Sequence, residues 1–444
     1  METPSTSSLL DRFQDWISSS TSLKLLLIAF IVLILLIPQS MTLDLIYERQ
    51  LRQEEAENEI SAKWSREQSL TGPYLAVPYH HYREIESGKE KNLIKELKTA
   101  YFFPEKLLVQ GNVQAEKLHR GIFDVVVYTG EMTLRADFAQ LPWKKLGIIP
   151  EQVLWDQASL QVGVSDLRGI GENPELLLNG KAFVSEPYTD EVHKLKGLQL
   201  KIALDSAQSE KLNFTGKIKL KGSKSLMLVP LGKTTHLDLR GNWPSPSFQG
   251  EFLPETRTLD DKGFESSWKV LHFNRPFGQE YLNQLPDLSG SAFGLELKVP
   301  ADQYQQSVRT SKYALLIIIL SFLSLFLMEI FTKTKVHPLQ YILIGFALVL
   351  YYTLLIALSE QIGFSHAYLI ASLATVGLLA GYSRTLFPQV KSTLIFAGVL
   401  SGFYAFIFVI VKQQDYALLI GSIGLFVALA VTMFISRKID WYKK

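Results

Sequence analysis

The sequence predicts a membrane protein of six transmembrane helices that also carries a large all-β periplasmic domain on a helical stalk. Three observations predict it. One apolar run lies near the start, five more crowd together after residue 312, and the roughly 270 residues between them alternate apolar and polar side chains with period two. The 444 residues are 47% hydrophobic and 20% charged, with too few Gly (28) and Pro (18) for a disordered or collagen-like chain. Against 45 Lys and Arg stand 43 Asp and Glu, so the net charge of +2 supplies no field to steer a nucleic acid, and none is expected as a partner. The absence of Cys excludes disulfides, thiolate metal sites and Cys nucleophiles.

Residues 1–22 are expected to be a cytoplasmic segment. Leu9, Leu10, Phe13, Trp16 and Ile17 share one helical face, which suits an interfacial helix and an ordinary packing face equally. The first span is residues 23–43, whose 21 residues match a bilayer core at 1.5 Å per residue, with Lys24 placed to snorkel. An uncleaved anchor is favoured over a secretory signal. The preceding segment sets Arg12 against Glu2, Asp11 and Asp15, and Ile37-Pro38-Gln39-Ser40-Met41 offers no small-residue cleavage site.

Residues 44–312 hold 34 Lys and Arg against 36 Asp and Glu, an ordinary soluble surface. Asp44 to Gln68 lacks Gly and Pro and predicts a helical stalk ended by Thr71-Gly72-Pro73. Beyond it, alternation over Met132–Phe138, Leu160–Val164, Leu198–Leu204 and Phe293–Val299 marks strands. Further strands are predicted at Phe123–Thr129, Lys217–Lys221, His236–Arg240 and Ser266–Phe273, giving a largely antiparallel sandwich or curved sheet. No βαβ alternation points to a nucleotide-binding fold.

Residues 313–444 predict a five-helix bundle with spans at Tyr313–Met328, Tyr341–Leu358, Ala367–Tyr382, Leu394–Val411 and Tyr416–Ile435. With the C-terminus in the cytoplasm, Lys333, Lys335, Arg384, Lys391, Arg437, Lys438, Lys443 and Lys444 all lie inside and only Lys412 outside. This bias places residues 44–312 in the periplasm of a two-membrane cell.

Chemistry is sparse. Gly290-Ser291-Ala292-Phe293-Gly294 sets Ser one place early for a nucleophile elbow, and Ser266-Ser267-Trp268-Lys269 lies in a strand, where Ser and Lys three apart face opposite sides. The eight His are scattered, so neither metal nor cofactor is expected. Lys217, Lys219 and Lys221 share a strand face that suits anionic headgroups or envelope polymer, or plain solvation. The bundle cores lack ionisable groups. Glu329, His337, Glu360, His366 and Arg384 fall at predicted helix ends as interfacial anchors and caps, or as a cluster that recruits a partner or gates a passage; Trp441 and Tyr442 suit the aromatic belt.

Three ordered stretches carry a family resemblance: His337-Pro338-Leu339-Gln340-Tyr341-Ile342-Leu343-Ile344-Gly345 with Leu358-Ser359-Glu360, then Asp415 to Ser422, then Asp440-Trp441-Tyr442. Arg120 to Val125, Val162 to Ile170, Gly222-Ser223 and Pro230 to Thr235 agree with it, as do Trp243-Pro244, Pro246-Ser247-Phe248, Phe252-Leu253-Pro254 and Gly263-Phe264. The chain resembles the CreD family of bacterial inner-membrane proteins from about residue 23 onward. It departs at Ser245, where His is expected, and over His272 to Gln279. The resemblance implies an inner-membrane protein of envelope integrity and stress response, with no reaction and no catalytic residues to carry over. The expected function is non-enzymatic: the periplasmic β-domain binds or organises an envelope protein, lipid or cell-wall component. The alternatives are a transporter or flippase-like protein, which requires a polar cavity in the bundle, and a hydrolase, which requires a converging acid/base cleft in the β-domain.

Overall fold

The computed structural model describes residues 21–87, 90–204, 211–298, 303–413 and 416–437. The amphipathic stretch Leu9–Ile17 and the pair Trp441 and Tyr442 lie outside them. Two compact units result: one of residues 1–54 with 301–444, the other of residues 55–300.

Seven helices are described: α1 (Thr21–Trp64), α2 (Gln303–Lys312), α3 (Ala314–Thr332), α4 (Pro338–Ile362), α5 (Phe364–Leu386), α6 (Val390–Lys412) and α7 (Ala417–Ser436). All except the short α2 are long and apolar enough to cross a membrane. The short links between α3 and α7 follow the punctuation of the sequence. His337 caps α4 by accepting from the Leu339 N–H at 3.2 Å, Gln340 returns a bond to the His337 N–H at 2.8 Å, and Pro338 starts the helix. Arg384 closes the C-terminal end of α5 by donating to the carbonyls of Phe387 (3.1 Å) and Pro388 (2.9 Å). Ile31, Leu35, Ile317, Phe322, Ile344, Leu348, Tyr352, Ala371, Phe396 and Leu400 form the core of this unit.

Helix α1 ends at Trp64, not at Thr71-Gly72-Pro73. Those three residues lie inside the long strand Gln68–Ser87, because Leu70 to Val77 are buried without interruption between the neighbouring strands Ser225–Val229 and Ala158–Val164. Helix α2 was hidden from composition by its polarity, yet Tyr304, Gln306, Ser307, Thr310 and Ser311 are buried against the other helices.

The second unit is a sandwich of two sheets. In the first, the strands run in the order Pro246–Gly250, Phe293–Leu297, Ser225–Val229, Gln68–Ser87, Ala158–Val164, Leu195–Ile202, Glu186–Asp190, with Glu90–Phe102 and Glu280–Leu282 branching off. The second runs Thr256–Asp260, Gly263–Leu271, Thr234–Gly241, Lys106–Arg120, Phe123–Phe138, Leu212–Ser223, Glu175–Leu178, Lys181–Phe183. Most pairings are antiparallel, but Gln68–Ser87 meets Ser225–Val229 and Lys106–Arg120 meets Thr234–Gly241 in parallel. Such pairs join strands far apart in sequence, which local alternation cannot reveal. Leu75, Val77, Leu160, Leu200 and Leu295 of one sheet pack against Val109, Leu134, Phe214, Leu220 and Trp268 of the other. Each such buried side chain contributes about 1.5–3 kcal/mol relative to exposure. A smaller cluster, including Tyr74, Tyr101, Phe103, Leu231 and Phe277, covers the back of the first sheet. The predicted strands at Phe123–Thr129 and Met132–Phe138 are one continuous strand.

Candidate functional site

The sequence-predicted positions separate into pairs rather than one cluster. Glu329, near the C-terminal end of α3, is only 8% exposed. Its Oε1 accepts the Lys24 ammonium of α1 and the Val336 N–H at 3.1 Å, and its Oε2 accepts the Tyr341 hydroxyl at 3.1 Å. Lys24 also donates to the Val336 carbonyl at 3.1 Å. Lys24 therefore does not snorkel, because its ammonium turns inward to neutralise the one carboxylate the bundle buries beside it. Glu360 of α4 has a matching arrangement, with Arg49 of α1 at 3.7 Å and the Tyr304 hydroxyl donating at 3.1 Å. His337 and Arg384 are the caps already described, and His366 is exposed. Lys217 and Lys219 share the outward face of Leu212–Ser223 and pair with Glu175 (3.4 Å) and Glu172 (2.6 Å). The Lys221 ammonium lies 4.7 Å from the centre of the Trp64 ring.

The bundle holds a cleft of about 630 Å³ between α3, α6 and α7, lined by apolar side chains with Ser324 and Thr432 as its polar members. Elsewhere in the bundle, the rings of Tyr352, Tyr368 and Tyr404 pack within 6 Å of Tyr351, and the hydroxyls of Tyr352 and Tyr404 have no partner among the described residues.

In the β-unit, His193 and Asp190 form a close pair at 2.7 Å. Burial pushes the Asp190 carboxyl up, but its bonds from His193 outweigh this and hold it below the usual aspartate range. The other ring nitrogen, which a general base would need, accepts the Leu285 N–H at 3.0 Å. Tyr101, edge-on to this imidazole, is pushed up to about 12 by burial. The pair is thus committed to holding a loop. Among the described residues, no three His, Asp or Glu converge as a metal site.

A cleft of the β-unit encloses about 780 Å³ where the end of α1 meets the sandwich, lined by Asn58, Ser61, Arg66, Glu67, Ser165, Asp166, Arg168, Lys196, Ser223 and Lys224. Its walls are built by hydrogen bonds. Asp166 caps a tight turn, accepting from the Arg168 N–H at 3.2 Å and the Arg66 N–H at 3.0 Å. The Arg168 guanidinium grips Asp166 at 2.9 and 2.6 Å and donates its remaining arm to the Ala62 carbonyl of α1 at 2.6 Å. That grip holds the Asp166 carboxyl well below the usual range. Gln68 ties the turn to the sheet by donating to the carbonyls of Asp166 (2.9 Å) and Lys221 (3.0 Å). A Cβ at Gly169 would run into the Gln68 amide and the Lys221 carbonyl, so only Gly permits this approach. Lys224 pairs with Glu57 at 3.3 Å, and Arg120 binds Glu59 through both oxygens at 2.9 and 3.2 Å.

Sequence reasoning missed this cleft as a site. Two of its walls, Val162 to Ile170 and Gly222-Ser223, are stretches that carried the family resemblance, but Arg66 and Lys196 bear no local motif.

Six apolar helices and a two-sheet β-unit between the first and the rest define a multi-pass membrane protein. The chain belongs to the CreD family, since the family model described as "Inner membrane protein CreD" matches residues 20–442. It is similar to the Inner membrane protein CreD of Escherichia coli (strain K12), with 33% identity over 416 residues that cover 93% of this chain and 91% of that one. Multi-pass inner-membrane localisation follows from the family and the helices together.

Proposed function

We propose that this protein supports cell-envelope integrity by binding or organising an envelope component through its β-unit, which faces the periplasm, with no chemical reaction of its own. The observation that carries this reading is the cleft at the end of α1. Its walls are held rigid by Arg168, Asp166 and Gln68, while the Arg66 and Lys196 side chains that line it have no partner among the described residues. Rigid walls with unspent polar groups are what a binding site needs. The transporter reading draws support from the unpartnered hydroxyls of Tyr352 and Tyr404 in the bundle, but the bundle's described cleft is apolar.

The test is a photo-crosslinking residue in place of exposed Asn58, irradiated in native membranes. Recovery of one envelope molecule, lost when crosslinker is moved to exposed Val184 on the sandwich, supports the reading. Recovery of nothing, or of the same products from both positions, overturns it.

A further inference from the structure

We infer that this cleft is an oxyanion site: it takes a carboxylate or phosphate group carried by an envelope molecule of sugar or short-peptide size. The inference rests on the preceding reading that the cleft binds a ligand, and it adds the chemistry of that ligand.

The cleft holds charge and hydrogen-bonding groups that its own walls do not use. Four cationic side chains line the cleft, and two are already committed, Arg168 to Asp166 and Lys224 to Glu57. Arg66 and Lys196 remain, against Glu67 as the carboxylate of the lining with no ion pair among the described residues, so the cleft retains a net positive charge. The Arg66 backbone is fixed, since its N–H is held by Asp166, while its guanidinium has no partner among the described residues. A guanidinium presents a planar fork that fits the two oxygens of a carboxylate or phosphate, and an ammonium adds a second point charge.

Two hydroxyls strengthen the case. Ser61 on α1 is 6% exposed and Ser223 is 0% exposed, both line the cleft, and neither oxygen has a hydrogen-bond partner among the described residues. A buried hydroxyl without a partner is costly unless a ligand satisfies it. The last carbonyls of α1 would repel an anion, but the Ala62 carbonyl is capped by Arg168. A volume of about 780 Å³ exceeds what a bare phosphate fills and suits an anionic group on a sugar or short peptide.

The experiment uses the full chain in phosphatidylcholine nanodiscs and measures binding by calorimetry to three probes, inorganic phosphate, N-acetylmuramyl dipeptide and neutral chitobiose, each repeated in nanodiscs that also contain phosphatidylglycerol. The expected result is salt-sensitive binding of muramyl dipeptide or phosphate, none of chitobiose, and roughly tenfold weaker binding for each of Arg66→Gln and Lys196→Gln. Arg66→Lys should retain part of the affinity. Binding of the soluble probes that phosphatidylglycerol leaves unchanged assigns a soluble or wall-borne source, whereas competition assigns a lipid headgroup. Unchanged affinity in the double variant with an unchanged melting temperature overturns the inference, as does preference for chitobiose. If the crosslinker at position 58 captures a neutral molecule, the binding reading stands and the oxyanion assignment falls. If it captures nothing and no probe binds, both fall.

Discussion

Glu329 shows how one residue can be structural in a place where an ionisable group suggests transport. Its carboxylate is balanced by Lys24 and satisfied by Val336 and Tyr341, so it ties α1, α3 and α4 together. Removing one partner of a buried pair strands the other charge and costs about 3–5 kcal/mol, while apolar replacement of both is often neutral. Glu329→Gln or Lys24→Met should therefore lower the melting temperature in nanodiscs, and the double change Lys24→Met with Glu329→Leu should recover most of the loss. A proton path from Glu329 to Glu360 is not supported by the spacing. Along α4 the two carboxylates are marked by Tyr341 and Glu360, nineteen residues or roughly 28 Å apart, and the next buried hydroxyls, on Tyr351 and Tyr352, begin roughly 15 Å on from Tyr341. Composition suggested an interval free of polar groups, and the tyrosine hydroxyls correct that, but along α4 the steps between them are too long for a relay. Glu329→Gln and Glu360→Gln should leave any envelope phenotype independent of pH; a proton-coupled flux in reconstituted vesicles that either change abolishes would reverse this conclusion. Asp166 makes a separate prediction. The Arg168 grip lowers its folded pKa, so its contribution to stability is full above the ordinary aspartate value of 3.8 and is lost as pH falls through the folded value. Thermal melts at pH 7 and pH 3 should show a smaller acid-induced drop for Asp166→Asn than for the unmodified protein.

At the scale of elements, α1 serves both units: Lys24, Leu35 and Arg49 engage the other helices, and Glu57, Glu59 and Ala62 engage the sandwich. Its contact with α4 depends on Gly345. A Cβ there would meet the end of the Leu35 side chain and stand 3.0 Å from the Phe322 ring. The Leu35 methyl can yield, so Gly345→Ala should cost little. Gly345→Leu overpacks the contact and should cost about 1–3 kcal/mol, with Leu35→Ala restoring part of it. Nanodisc melts of the three variants decide the matter, and a Gly345→Leu variant as stable as the parent would show that α1 does not pack there. The helices of this unit were legible as apolar runs, and the strands as alternation, because each depends on neighbours in sequence. Helix α2 was not legible, since its buried Gln306, Ser307 and Thr310 read as a polar linker. Nor was the cleft, whose walls come from residues 58 to 224 and meet only through the strand order.

For the whole molecule, the sided distribution of charge is the feature with the clearest consequence. Lys333 and Lys335 lie between α3 and α4, Arg384 closes α5, Lys391 opens α6, and Arg437 follows α7, whereas Lys412 ends α6 on the other side of the bundle. Basic residues in short links are retained in the cytoplasm, so this division predicts that the link between α1 and α2, which contains the entire sandwich, lies outside. The absence of Cys makes the prediction easy to test, since a single introduced Cys is the sole target for a maleimide. Exposed Lys201 on the sandwich and exposed Lys391 at the start of α6 are suitable positions. With a membrane-impermeant maleimide, Lys201→Cys should label in cells with a permeabilised outer membrane and be protected in inverted inner-membrane vesicles, and Lys391→Cys should do the reverse. Labelling of Lys201→Cys in inverted vesicles alone would place the sandwich and its cationic cleft in the cytoplasm. A role in binding a periplasmic envelope component would then fail, whatever the cleft proved to hold.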